Sequence, residues 1–122
     1  MGVQNAKELK AYQLSYGLAM DIFELSRSFP PEEKFALTSQ IRRSAPMNLR
    51  EAWAKRRYEA HFVSKLTDCD GESGETETSL DFAFDCGYIT EEQYRDLIKI
   101  NNEVGRLLGS MLNNPKQWAK NP

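Results

Sequence analysis

The chain has 122 residues, of which 40% are hydrophobic and 28% charged, and its formal net charge is -2. That length suits one domain over residues 1–122, and that balance excludes a disordered chain. The apolar runs are only a few residues long, which excludes a membrane-spanning helix, and no membrane partner is expected.

The N-terminal stretch MGVQNAKELK has no apolar h-region, so no secretory leader is expected. Met1-Gly2 starts like a myristoylation signal, but Ala6 stands where Ser or Thr is required. The first helix is predicted from about Lys7 to Ser26. Leu9, Tyr12, Tyr16, Ala19, Phe23 and Ser26 recur at steps of three and four, which places one stripe on a helix face. Phe29-Pro30-Pro31 ends it, because the residue before a proline avoids the helical region.

A second helix starts at Pro31, where proline suits the first helical position and Glu32 and Glu33 favour the positive end of the helix dipole. Leu37, Ile41, Ala45, Leu49 and Trp53 form its apolar face. Pro46 lies inside that pattern and predicts a kink or break near Ser44–Met47.

The third segment runs from about Tyr58 to Cys86. Phe62, Leu66, Cys69, Ser73, Thr76, Leu80 and Ala83 stay in phase across Gly71 and Gly74, so one helix is predicted there and not a loop, despite a propensity cost of about 1 kcal/mol per glycine. Gly87 reads as a left-handed C-cap. Thr90 and Gln93 then form a capping box for the fourth helix. Tyr94, Leu97, Asn101, Val104, Leu108 and Met111 make its seam, and Asn113-Asn114-Pro115 ends it. The helical core thus covers about residues 7–114, and 115–122 reads as a short tail. Four long helices with short connections predict an all-α, antiparallel up-down-up-down four-helix bundle.

Catalytic signatures are missing. His61 is the only histidine. No nucleophile elbow, phosphate loop or dinucleotide fingerprint is present, so no enzyme and no cofactor are expected. Asp68, Asp70 and Glu72 match the first ligand positions of a calcium loop. The required glycine is Ser73, however, and the closing glutamate is Ser79. Glu72 and Glu75 lack the histidine partners of a di-iron bundle, since Tyr58 stands three residues before His61. Cys69 and Cys86 sit about 25 Å apart on one helix, beyond disulfide reach. Two reduced thiols fit a cytoplasmic protein, and two cysteines with one histidine leave too few ligands for a structural zinc site.

Charge is unevenly spread. Residues 40–65 hold seven Lys/Arg against two Glu, while residues 68–103 hold two Lys/Arg against eleven Asp/Glu. Arg42, Arg43, Arg50, Lys55, Arg56, Arg57 and Lys65 could neutralise the phosphates of RNA or DNA, with Trp53 and Tyr58 stacking on unpaired bases. Equally, they could form a solvated face that pairs with the acidic helices. Gly105-x-x-x-Gly109, with the small seam of Cys69, Ser73 and Thr76, predicts close helix contacts, within the bundle or at an oligomer interface.

Several joined motifs resemble a known family. They are Leu37-Thr38-Ser39-Gln40-Ile41-Arg42-Arg43, Glu51-Ala52-Trp53, Lys55-Arg56-Arg57-Tyr58, Glu75-Thr76, Cys86-Gly87-Tyr88-Ile89 and Val104-Gly105-Arg106-Leu107-Leu108-Gly109-Ser110. In this order, from Lys7 to Trp118, the chain resembles the four-helix-bundle proteins encoded by intervening sequences in bacterial 23S rRNA genes. The resemblance implies a cytoplasmic homopentamer. It also implies a relation to the accessory proteins of diversity-generating retroelements, which bind nucleic acid and a reverse transcriptase. Two departures stand out. The Ser44–Glu51 segment is shorter than the family's linker, with Arg50 in place of a small residue, and the pI of about 5.5 is acidic. The leading expectation is a non-enzymatic oligomeric binding or scaffold protein that contacts RNA or DNA. The alternative is a protein–protein assembly factor with no nucleic-acid binding.

Overall fold

The computed structural model describes residues 5–41 and 45–118, and the side chains of all of these except residues 7, 37–41 and 45. The architecture is all-helical, with no strand among the described residues. A 3-10 turn at Ala6–Glu8 leads into α1 (Lys10–Ser26), α2 (Pro31–Ile41), α3 (Ala45–Ala54), α4 (Glu59–Asp85), α5 (Glu91–Asn113) and the short α6 (Pro115–Trp118). Helix α4 packs against α3 and α5, and α1 packs against α2, α3 and α5.

Local chemistry sets the boundaries. The N–H groups of Arg27, Ser28 and Phe29 reach back to the carbonyls of Glu24, Leu25 and Ser26, closing α1 before Pro30. Gly87 has φ +77, and the N–H groups of Gly87 and Tyr88 donate to the carbonyls of Phe84 and Ala83, which is the Schellman geometry expected of a glycine there. At the start of α5 the Gln93 N–H donates to Thr90 Oγ1 (3.1 Å) and the Thr90 N–H to Gln93 Oε1 (2.9 Å), so the capping box is present. Helix α4 runs unbroken through Gly71 and Gly74.

Three expectations are corrected. The single kinked second helix is assigned as α2 and α3, with Pro46 in the first turn of α3, where a missing N–H costs little. Arg42, Arg43 and Ser44, between them, lie outside the described residues. The stripe expected on α1 is also rotated. The buried face is Ala11, Ser15, Leu18, Ile22 and Ser26, while Tyr16 is 52% exposed and Tyr12 and Phe23 are half-buried. Small Ala11 and Ser15 let neighbouring helices approach, whereas a buried tyrosine hydroxyl would need a partner. Residues 115–118, expected as tail, form α6, and Trp118 packs on the core.

The core has two apolar halves. One gathers Leu9, Leu49, Trp53, Phe62, Leu66, Leu108 and Met111. The other gathers Leu18, Ile22, Phe29, Leu80, Ile89 and Leu97. Ser15, Ser73 and Asn101 are buried polar residues of the same three helices. Buried polar groups must be hydrogen-bonded to be tolerated, and all three are. Ser15 Oγ donates to the Tyr12 carbonyl (3.2 Å), while Ser73 and Asn101 bond to each other.

Candidate nucleic-acid interface

Helix α3 turns Leu49, Ala52 and Trp53 inward and leaves Arg50 and Glu51 exposed, with Met47 and Ala54. It ends in tight turns: the Arg56 N–H donates to the Trp53 carbonyl (3.3 Å) and the Tyr58 N–H to the Lys55 carbonyl (3.0 Å). These reverse the chain into α4 and bring Lys55, Arg56, Arg57 and Tyr58 to one corner.

The residues of this corner divide into two sets. Trp53 is only 7% exposed, which corrects its expected role in stacking on a base. Its ring belongs to the core, and the Arg56 guanidinium covers it at 4.2 Å while Nη1 donates to the Trp53 carbonyl (2.9 Å). Trp53 Nε1 is buried with no hydrogen-bond partner among the described residues. Lys65 pairs with Glu51 (2.9 Å) and, more loosely, with Asp68 (3.8 Å). Its hydrogen bond to Glu51 raises the Lys65 pKa and lowers that of Glu51, so each favours the other's charged form. Arg56 and Lys65 are thus occupied within the chain.

Arg50, Lys55 and Arg57 are exposed, and among the described residues none of them has an ion-pair partner. By contrast Arg27, Arg95 and Arg106 each meet a glutamate one turn away on their own helix. Tyr58 is exposed, its ring 5.8 Å from that of His61. Arg42 and Arg43 lie outside the described residues.

Sequence reasoning overlooked a neighbouring feature. Tyr12, Gln13 and Tyr16 of α1 and Arg50 of α3 line a shallow cleft of about 510 Å3. A signal for it existed in α1, where Leu14, Leu18, Ile22 and Leu25 form a second, purely aliphatic series able to supply the core face.

The small residues expected at an oligomer interface lie along α4 and α5. Cys69 and Ser73 are buried within the chain, and burial pushes the Cys69 thiol up to about 12. The half-buried Thr76 donates to the Glu72 carbonyl (2.9 Å). A Cβ placed on Gly105 would lie 3.8 Å from Ser73 Oγ, so this close approach joins α4 to α5 of one chain. Nothing stands within 4 Å of such an atom on Gly109.

Among the described residues no three His, Cys, Asp or Glu side chains gather as a metal site, and no helix is long and apolar enough to cross a membrane.

Comparison with known proteins agrees with this architecture. A crystal structure of a protein of unknown function from the S23 ribosomal protein family of Bacteroides thetaiotaomicron is similar, with a TM-score of 0.74 and 29% identity over 85% of this chain and 96% of that one. No curated protein matches the chain. The family model for 23S rRNA-intervening sequence proteins matches residues 7–110. The chain therefore belongs to the 23S rRNA-intervening sequence protein family.

Proposed function

We propose that this chain is a non-enzymatic binding protein whose α3 corner holds phosphates of RNA or DNA. One observation carries the reading. Arg50, Lys55 and Arg57 lie exposed on α3 and the turn after it, with no ion pair among the described residues, although the Lys55 charge is felt by Glu51 one turn away. Exposed cations without an ion pair are what a phosphate backbone recruits, because each contact releases a condensed counterion. Tyr58, exposed beside them, adds a ring for an unpaired base. The packing of α1 on α3 and α5, and of α4 on α3 and α5, supports an up-down-up-down bundle in which α2 and α3 together form the second arm.

A gel shift with single-stranded RNA and DNA at rising salt tests this reading. Binding that weakens with salt, and that Lys55→Glu with Arg57→Glu removes, supports it. No shift at low salt overturns it.

A second reading is self-assembly. Met47, Asn48, Glu51, Asp68, Glu72 and Glu75 line a groove between α3 and α4 that is acidic on its α4 side. The basic corner of another copy complements that groove in charge, in keeping with the pentamer that the family likeness implies. Light scattering at rising salt tests it: an assembly held this way dissociates, and a monomer at every salt concentration rejects it.

A further inference from the structure

The cleft between α1 and α3 is lined by Tyr12, which also packs against the core, by the exposed Tyr16 and Gln13, and by Arg50, which has no ion pair among the described residues. Its volume of about 510 Å3 lies within the range of about 300–1,000 Å3 common for ligand clefts. Tyr12 and Tyr16, one turn apart, form its aromatic wall, with ring centroids 6.0 Å apart and planes inclined by 22°. Tyr16 is 52% exposed, whereas Tyr12 is half-buried. Arg50 lines the cleft from the other helix.

We infer that this cleft is a stacking site for one unpaired base of a single-stranded nucleic acid. The base continues the Tyr12–Tyr16 stack on the open face of Tyr16, and Arg50 holds the neighbouring phosphate. The inference rests on the phosphate-contact reading above and adds to it a site and a substrate class. Duplex bases are already stacked on one another, so an aromatic face of this kind selects single strands. Every base has such a face, so the cleft tolerates any sequence. A charged polymer without rings would use Arg50 but leave Tyr16 idle. Arg50 joins the cleft to Lys55 and Arg57, whose places in the turn just after the same helix offer the strand further phosphate contacts.

The test uses three fluorescein-labelled probes read by anisotropy at low salt: an oligothymidylate, an oligomer of the same length with abasic sugars, and a hairpin duplex. Tyr16→Ala should weaken oligothymidylate binding about ten-fold and leave the abasic oligomer unchanged, whereas Tyr16→Phe should bind like the parent. Lys55→Glu with Arg57→Glu should weaken both oligomers. Unaltered oligothymidylate binding by Tyr16→Ala, with charge reversal still effective, overturns the stacking site and spares the phosphate reading. Failure of the parent to bind either oligomer overturns both. A Tyr16→Ala variant that changes subunit number and not affinity also overturns the stacking site, because the aromatic face is then a contact between copies. Tyr16 is exposed, so circular dichroism should show an unchanged fold in every variant at this position.

Discussion

Ser73 and Asn101 exchange two hydrogen bonds across the α4–α5 interface. Ser73 Oγ donates to Asn101 Oδ1 (3.3 Å), and Asn101 Nδ2 donates to the Ser73 carbonyl (3.0 Å). Both residues are buried, and both lie in the seams of their helices. A pair of this kind costs little while complete and much when halved, because a lone buried polar group loses its water and gains nothing. It also ties the register of two long helices to one level.

Removing one partner should therefore be worse than removing both. Asn101→Ala should cost about 2–3 kcal/mol, from the orphaned Ser73 hydroxyl and the space left behind. Asn101→Leu combined with Ser73→Ala should recover most of that loss. Urea melts of Asn101→Leu, Ser73→Ala and their double, read as a cycle beside Asn101→Ala, check this. Simple additivity would show that the two residues do not act as a pair.

The glycines of α4 should respond in opposite ways. Gly71 and Gly74 sit inside the helix, and a Cβ at either meets nothing within 4 Å. Gly71→Ala and Gly74→Ala should each stabilise by about 0.5–1 kcal/mol, through helix propensity alone. Gly87, at φ +77, should lose about 1 kcal/mol or more as alanine, since the left-handed conformation crowds a Cβ. Thermal melts distinguish the signs. Destabilisation by Gly71→Ala would mean that another copy packs against that face.

These cases show what was legible in the sequence. The seams of α4 and α5 were, because Phe62, Leu66, Cys69, Ser73, Leu80 and Ala83, and then Leu97, Asn101, Val104, Leu108 and Met111, hold one phase and are buried, with Thr76 and Tyr94 of the same seams half-buried. The caps at Gly87 and Thr90 were legible for a local reason: a turn or a box needs only neighbouring residues. Helix α1 was ambiguous because two series run along it, one aromatic and one aliphatic. Which one faces inward depends on how closely α3 and α5 approach. The basic corner was legible as charge but not as availability. That Lys65 is taken by Glu51, and Arg56 by the Trp53 ring, follows from the packing of α3 on α4 and from one turn, neither of which a count of charges contains.

The two thiols should differ sharply in reactivity. Cys86 is exposed, whereas Cys69 is fully enclosed and its thiol is held up to about 12 by burial. A disulfide reagent at neutral pH should modify one thiol promptly and the second only when the chain unfolds. The pH dependence has a definite sign. The unfolded thiol ionises near its usual 9.0 and the folded one near 12. The Cys69 contribution to stability is therefore intact below about pH 9 and is lost as pH rises from there towards 12. Urea midpoints of the parent and of Cys69→Ala should converge over that window. Prompt reaction of both thiols in the folded protein would show that α4 opens readily around Cys69.

Arg56 and Arg57 are adjacent in sequence and should separate cleanly in function. The Arg56 guanidinium lies over the buried Trp53 ring and bonds the Trp53 carbonyl, so its charge is committed to the end of α3. Arg56→Ala should cost about 1 kcal/mol of stability, from the lost cation–π contact and hydrogen bond. It should change the salt slope of oligonucleotide binding little. Arg57 is exposed with no ion pair among the described residues. Arg57→Ala should leave the melting temperature in place and lower the slope of log affinity against log salt by about 0.7 for a single strand, as expected for one lost phosphate contact. Paired measurements of melting and salt-dependent anisotropy on the two variants decide the matter. If Arg57→Ala melts lower and binds as before, the basic corner is a structural joint between α3 and α4, and phosphate contact belongs elsewhere on the chain.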